Sequence, residues 1–134
     1  MRKFYTICVA FALLCTAAYA AKTYPMTAAS IVPGARGEVV IGHDKNGNTT
    51  LKMTVQHLAN LENLTPRASA YVVWLRERDG NAENKGQLKT DKNLNASFKT
   101  VTPLKSFEVF VTAEQDARAE SPSGAEVLRA TIQP

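Results

Sequence analysis

Few residues in this 134-residue chain are of a type that does chemistry, and their spacing limits what that chemistry would be. Its two histidines, His43 and His57, fall on the two runs joined by the segment D-K-N-G-N, with Asp44 next to the first. If strand pairing brought the imidazoles together, Asp44 would be a third ligand for zinc or copper. Structural zinc takes four protein ligands and catalytic zinc usually three with an ordered second shell. Two imidazoles and one carboxylate make a poor site, so no metal or other cofactor is expected. Asp44, Asn46 and Asn48 alternate as calcium ligands do, but the glycine is fourth rather than sixth, and Val55 holds the twelfth place where a glutamate belongs. A hairpin turn accounts for the segment better. A serine nucleophile needs a base and an orienting acid. The chain has no G-x-S-x-G elbow, and Ser121 and Ser123 sit in a turn with no histidine nearby. Glu77, Asp79 and Glu83 cluster in a hydrophilic hairpin, where solvation explains them. The expectation is a protein that is not an enzyme.

The first twenty residues, MRKFYTICVAFALLCTAAYA, have a basic start at Arg2 and Lys3, an apolar stretch and a small-x-small end at Ala18-Tyr19-Ala20. This is the pattern of a secretory signal peptide. Leu14 immediately before Cys15 argues against a lipidated cysteine. The division expected is residues 1–20 signal peptide, 21–37 N-terminal lead and 38–134 one β-sandwich domain, in the periplasm or secreted. Both cysteines, Cys8 and Cys15, would leave with the signal, so no disulfide and no thiolate chemistry is expected afterwards. Of 16 basic and 12 acidic residues, Arg2 and Lys3 also leave, which reduces the balance from +4 to +2. Lys85, Lys89 and Lys92 alternate with Glu83 and Asp91, so the clustered positive charge of a nucleic-acid binder is missing and no nucleic-acid partner is expected. No later segment is apolar enough for stable membrane insertion once the signal is cleaved.

The elements that would position any site are short β runs between polar turns. EVVIGH (38–43) and TTLKMTVQHL (49–58) flank an Asn-Gly turn, and in the second run Leu51, Met53 and Val55 alternate with Lys52, Thr54 and Gln56, which predicts a hairpin. In TVQHLANLENL, Val55, Leu58, Leu61 and Leu64 recur at helical spacing, and a loop carrying one helical turn is expected. YVVWLRERDG (71–80) sets Tyr71, Val73 and Leu75 on one side and Val72, Trp74 and Arg76 on the other, apolar on both until Arg76. That predicts an interior strand covered on both faces. DGNAENKG would turn the chain into QLKTD, then ASFKTV, SFEVFVTAE and AEVLRATI follow. Seven strands without a helix predict an all-β, seven-stranded antiparallel immunoglobulin-like β-sandwich. No internal repeat is evident.

YVVWLRERDG, the hairpin bearing Gly86, SFEVFVTAE and SPSGAEVLRATI together resemble the extracytoplasmic C-terminal domain of RskA-type anti-sigma-K factors. That family shows an aromatic-x-x-Trp-Leu strand, a strand reading F-x-V-T-x-E and a Ser-Pro-x-Gly step before a last strand with Val-Leu. The match spans roughly Leu51 to Ile132. The sigma-binding and transmembrane parts that precede this domain in the family have no counterpart here, so the resemblance implies a fold, an extracytoplasmic place and a docking or sensing role. It implies no sigma-factor regulation and no catalytic residue.

A buried tryptophan on an interior strand is ordinary sandwich architecture, and Trp74 is expected to be core, packed with Phe107, Val109 or Phe110. Three N-x-S/T triplets begin at Asn48, Asn63 and Asn95, each in an expected loop. The function expected is a non-catalytic interaction or sensory module of the bacterial cell envelope, with an unidentified protein or envelope partner. Two alternatives remain: a glycan or polymer-binding module, with Tyr24 and Tyr71 available, and a metal-binding protein using His43 and His57.

Overall fold

The computed structural model describes residues 20–133, so the signal-peptide assignment and both cysteines lie outside the described residues. The described residues form nine strands: β1 (Lys22–Pro25), β2 (Thr27–Ala28), β3 (Arg36–His43), β4 (Thr49–Gln56), β5 (Ala70–Arg76), β6 (Ala82–Leu88), β7 (Ala96–Thr102), β8 (Phe107–Glu114) and β9 (Ala125–Ile132). They build two antiparallel sheets, one ordered β1-β3-β4-β7 and the other β2-β9-β8-β5-β6. Nine strands stand where seven were expected. The two additions come from the lead segment, which pairs β1 with β3, passes Met26, and pairs β2 with β9 in the other sheet.

Alternation in the sequence decides the core. Val39 and Ile41 of β3 and Leu51, Met53 and Val55 of β4 face Tyr71, Val73 and Leu75 of β5, Val109 and Val111 of β8 and Leu128, Ala130 and Ile132 of β9 in one cluster. Full burial of each larger aliphatic side chain is worth about 1.5–3 kcal/mol. The Val55–Leu64 periodicity resolves as a single 3-10 turn at Leu61–Asn63, with Leu58 and Leu64 buried beside it.

The greatest departure from expectation is β6. The sequence predicts a turn over DGNAENKG and a strand at QLKTD, yet AENKGQL pairs with β5 from Arg76↔Ala82 to Tyr71↔Leu88. Its composition is poor for a strand. Long-range bonds compensate: the Asn84 amide donates to the Ala117 and Ala119 carbonyls at 3.0 and 2.9 Å. A register shift between Val73 and Trp74, next to Gly86 with φ 137°, marks a bulge in this edge.

The D-K-N-G-N loop has a twin. In residues 44–48 the Asp44 N–H donates to the Asn48 carbonyl at 3.0 Å, and the Asp44 carboxylate accepts from the Asn46 and Asn48 N–H groups at 2.9 Å each. In D-K-N-L-N, residues 91–95, the Asp91 N–H donates to the Asn95 carbonyl at 2.8 Å, and its carboxylate accepts from the Asn93 and Asn95 N–H groups at 2.8 and 3.0 Å. Gly47 has φ 79° at the fourth position and Leu94 has φ 62° there. No internal repeat is expected from the sequence pattern, yet D-K-N-x-N occurs twice, as a repeat of turn chemistry.

Candidate functional site

β5 lies between β8 and β6, and all of its residues but Arg76 are buried. Trp74 faces away from the inter-sheet core. With Val72 and its neighbour Phe110 it forms a second cluster on the outer face of the five-stranded sheet, joined by Ala82 and Ala119. The loop 115–124 covers this cluster. Asn84 holds the loop at Ala117 and Ala119, and Glu114 holds its far end by accepting from the Ser123 hydroxyl at 2.7 Å and the Gly124 N–H at 2.8 Å. Trp74 is therefore roofed and its exposure is 0 %. Thr112 connects the two parts, since its hydroxyl accepts from the indole N–H at 2.8 Å and donates to Glu114 at 2.6 Å.

Burial pushes the Glu114 carboxyl up, but the bonds from Thr112, Ser123 and Gly124 outweigh it and hold the group below its ordinary value. Gly124 sits against β8 so closely that a Cβ there would lie 1.7 Å from the Ala113 carbonyl oxygen. The network is a clamp with its polar atoms satisfied, and it leaves no group aimed at a ligand.

Beyond the roof, Phe110 lies under two guanidinium groups, Arg129 at 4.7 Å and Arg76 at 5.5 Å from the ring centre. Arg76 and Arg129 both donate to Glu108, at 3.0 Å from Arg76 Nε and 2.7 Å from Arg129 Nη1, and Arg129 also bonds Glu126. These bonds, that from Arg76 foremost, hold Glu108 below the ordinary carboxylate value. An open cleft of about 950 Å³ adjoins this cluster, lined by Arg76, Arg78, Asp79, Ser106 and Glu108 among others. Its lining contains neither histidine nor cysteine, and it offers hydrogen bonds and charge from arginine, carboxylate and hydroxyl groups.

The histidines do not converge. His43 pairs with Thr49 at one end of the β3–β4 hairpin, whereas Gln56, just before His57, pairs with Arg36 at the other. The hairpin length, about 25 Å at ~3.3 Å per residue, separates them. The Asp44 carboxylate is occupied within its own loop, and the Asn48 N–H foremost holds it below its ordinary value. A shared metal site at His43, His57 and Asp44 is excluded by this register, and no group of three or more metal-ligating side chains occurs among the described residues. The tyrosines do not share an exposed face either. Tyr71 is buried and donates to the Ala59 carbonyl at 2.6 Å, and Tyr24, on the other sheet, bonds the Gln133 carbonyl.

The outer face of the four-stranded sheet is different, for among the described residues Lys52, Lys99 and Val101 on it are exposed. Register sets Thr23, Val40, Lys52 and Lys99 side by side in one row across β1, β3, β4 and β7. Both lysines are exposed, and among the described residues neither takes part in an ion pair. Beside them a shallow apolar groove runs past Val40, Gly42, Thr50 and Val101. Val101, at 49 % exposure, is the one exposed large hydrophobic side chain among the described residues. Sequence alternation points these residues outward, but their adjacency depends on the pairing of β4 with β7, strands more than forty residues apart.

The chain matches no protein-family model and no curated protein. No helix among the described residues is long and apolar enough to cross a membrane.

Proposed function

We propose that the protein is a non-catalytic interaction module of the bacterial cell envelope, exported by its N-terminal signal and folded as an immunoglobulin-like sandwich. The observation that carries this reading is the open face of the four-stranded sheet, where an unpaired lysine couple adjoins an exposed apolar groove. Trp74 under its loop and Tyr71 in the core are engaged inside the fold, and Arg76 and Arg129 are paired with Glu108 at the surface.

The connectivity supports the immunoglobulin-like assignment. Without the lead strands, β3, β4 and β7 form one sheet and β6, β5, β8 and β9 the other, a two-sheet exchange typical of such sandwiches. Trp74, Thr112, Glu114, Ser123 and Gly124, drawn from three of the motifs that resemble the RskA-type extracytoplasmic domain, meet in one clamp. They act there as structure, which fits a family domain without catalytic residues.

The test is affinity capture from envelope extract with the processed protein and with a Lys52→Glu/Lys99→Glu double variant of equal thermal stability. A partner retained by the first and lost by the second supports the reading. No partner, or one retained equally, rejects it. Export is checked by the mass of protein recovered from periplasm or medium: a start at Ala21 is expected, and a start at Met1 or a lipid-modified Cys15 rejects it.

A further inference from the structure

A β-sheet edge is a row of unpaired N–H and C=O groups, and proteins blunt such edges with short strands, proline or bulges. Three of the four edges here are blunted in that way. β1 is four residues long and ends at Pro25, β2 is two residues long, and β6 is bulged at Gly86. β7 is the exception. It pairs with β4 through seven consecutive residues, Ala96–Thr102, with no bulge and no proline. Beyond that ladder, no backbone hydrogen bond from another segment reaches it among the described residues.

The side chains along this edge are selective about a neighbour. Ser97, Lys99 and Val101 are exposed, and Lys99 stands opposite Lys52. Like charges directly opposite on adjacent strands, at Cβ distances of about 4.5–5.5 Å, repel. The connection leading into β7 adds Lys89 and Lys92, and the carboxylate between them, Asp91, is engaged with the Asn93 and Asn95 N–H groups. Glu38 is the carboxylate on the strands of this face, one row away opposite Thr54, with Arg36 on the same strand. Positive charge at the centre of the edge is thus uncompensated.

Self-pairing is opposed by the same feature. Lys99 is the middle residue of β7, so an antiparallel pair of two β7 strands in full register would set Lys99 against its copy and line up four lysines. A foreign strand with a carboxylate at that place would complete the row. Two residues away on the same face it would meet Val101 and the apolar groove.

We propose that β7 is a docking edge that accepts an extended segment of an acidic partner protein as a fifth strand of this sheet. The segment runs antiparallel and reads, from its N-terminus, apolar-x-acidic-x-hydroxyl against Val101, Lys99 and Ser97. Backbone bonds supply the attachment, and the alternate side chains supply the selection. This deepens the interaction-module reading and rests on it for biological meaning.

The probe is the capped peptide Thr-Thr-Val-Thr-Glu-Thr-Thr, added to isotope-labelled protein and followed by amide shifts and hydrogen exchange. Exchange should slow at alternate amides of Ala96–Thr102. Lys99→Glu should weaken binding about tenfold or more, as loss of a charge pair with its sign reversed does. A peptide with Lys in place of Glu should restore binding to that variant. N-methylation of the peptide nitrogens that face β7 should abolish binding without changing charge. No response at β7 at millimolar peptide, or equal binding by the N-methylated peptide, overturns the proposal. Because the probe is synthetic, its failure rejects the edge while leaving the module reading to the capture experiment. Probe binding with nothing captured supports the edge and rejects the module reading.

Discussion

The indole N–H of Trp74 donates to the hydroxyl of Thr112 at 2.8 Å, across two neighbouring strands and on the side of the sheet turned away from the main core. A tryptophan on the outer face of a sheet is ordinarily a candidate for recognition. Here its polar atom is satisfied internally, and the loop 115–124 excludes solvent from its ring.

Trp74 is the sole tryptophan, so its fluorescence reports this region alone. Native emission should be blue-shifted and resistant to acrylamide. Trp74→Ala should lower unfolding free energy by about 3–5 kcal/mol, read by denaturant titration with circular dichroism. Water-like emission and an unchanged midpoint would show the ring to be exposed.

Glu114 makes stability depend on acidity. Its folded pKa lies below the ordinary 4.5, so its contribution is complete above that value and is lost as pH falls through the folded pKa. Glu108 acts in the same direction. Melting temperature measured from pH 7 to pH 3 should fall on the acid side in the parent protein. Glu114→Gln should be less stable at neutral pH and show a shallower acid limb. Parallel limbs in the two proteins would remove Glu114 from this role.

Gly124→Ala should destabilise at the upper end of the ~1–3 kcal/mol seen for overpacking, because the new carbon collides with the Ala113 backbone rather than with a side chain that could turn away. Gly34→Ala, where the added carbon meets nothing within 4 Å, serves as the control in the same urea titration.

The twin loops allow a backbone experiment. Gly47 has open space around its Cβ position and φ 79°, so Gly47→Ala should cost roughly 1–2 kcal/mol through conformation alone. Gly47→Asn should cost less, since asparagine tolerates the left-handed region. Equal losses for the two variants, measured by chemical unfolding, would locate the cause elsewhere than in φ.

Local pattern made much of the fold legible. Alternation at Leu51, Met53 and Val55 and the two apolar faces of YVVWL gave β4 and β5, since inward residues of a half-buried strand recur with period two. Non-local compensation hid the rest. AENKGQL has no such period and is a strand because Asn84 finds two carbonyls more than thirty residues away. The roof over Trp74 is built from Gln115 to Gly124, nearly devoid of large apolar side chains, and is secured by backbone and carboxylate bonds that no hydropathy pattern encodes. The motifs containing Trp74, Thr112, Glu114 and Ser123 were readable one by one, whereas their contact required the register. The lysine couple was hidden for the same reason.

The passage of the lead from β1 in one sheet to β2 in the other has a practical consequence for making the protein. A chain trimmed to start at residue 36 would keep β3 to β9 whole and look complete by composition. It would nevertheless lose the covers of β3 and β9 together and leave raw edges on both sheets, the condition under which β-proteins polymerise and precipitate. Solubility should therefore reside in residues 22–28, which cover an edge of each sheet while adding Met26 to the core.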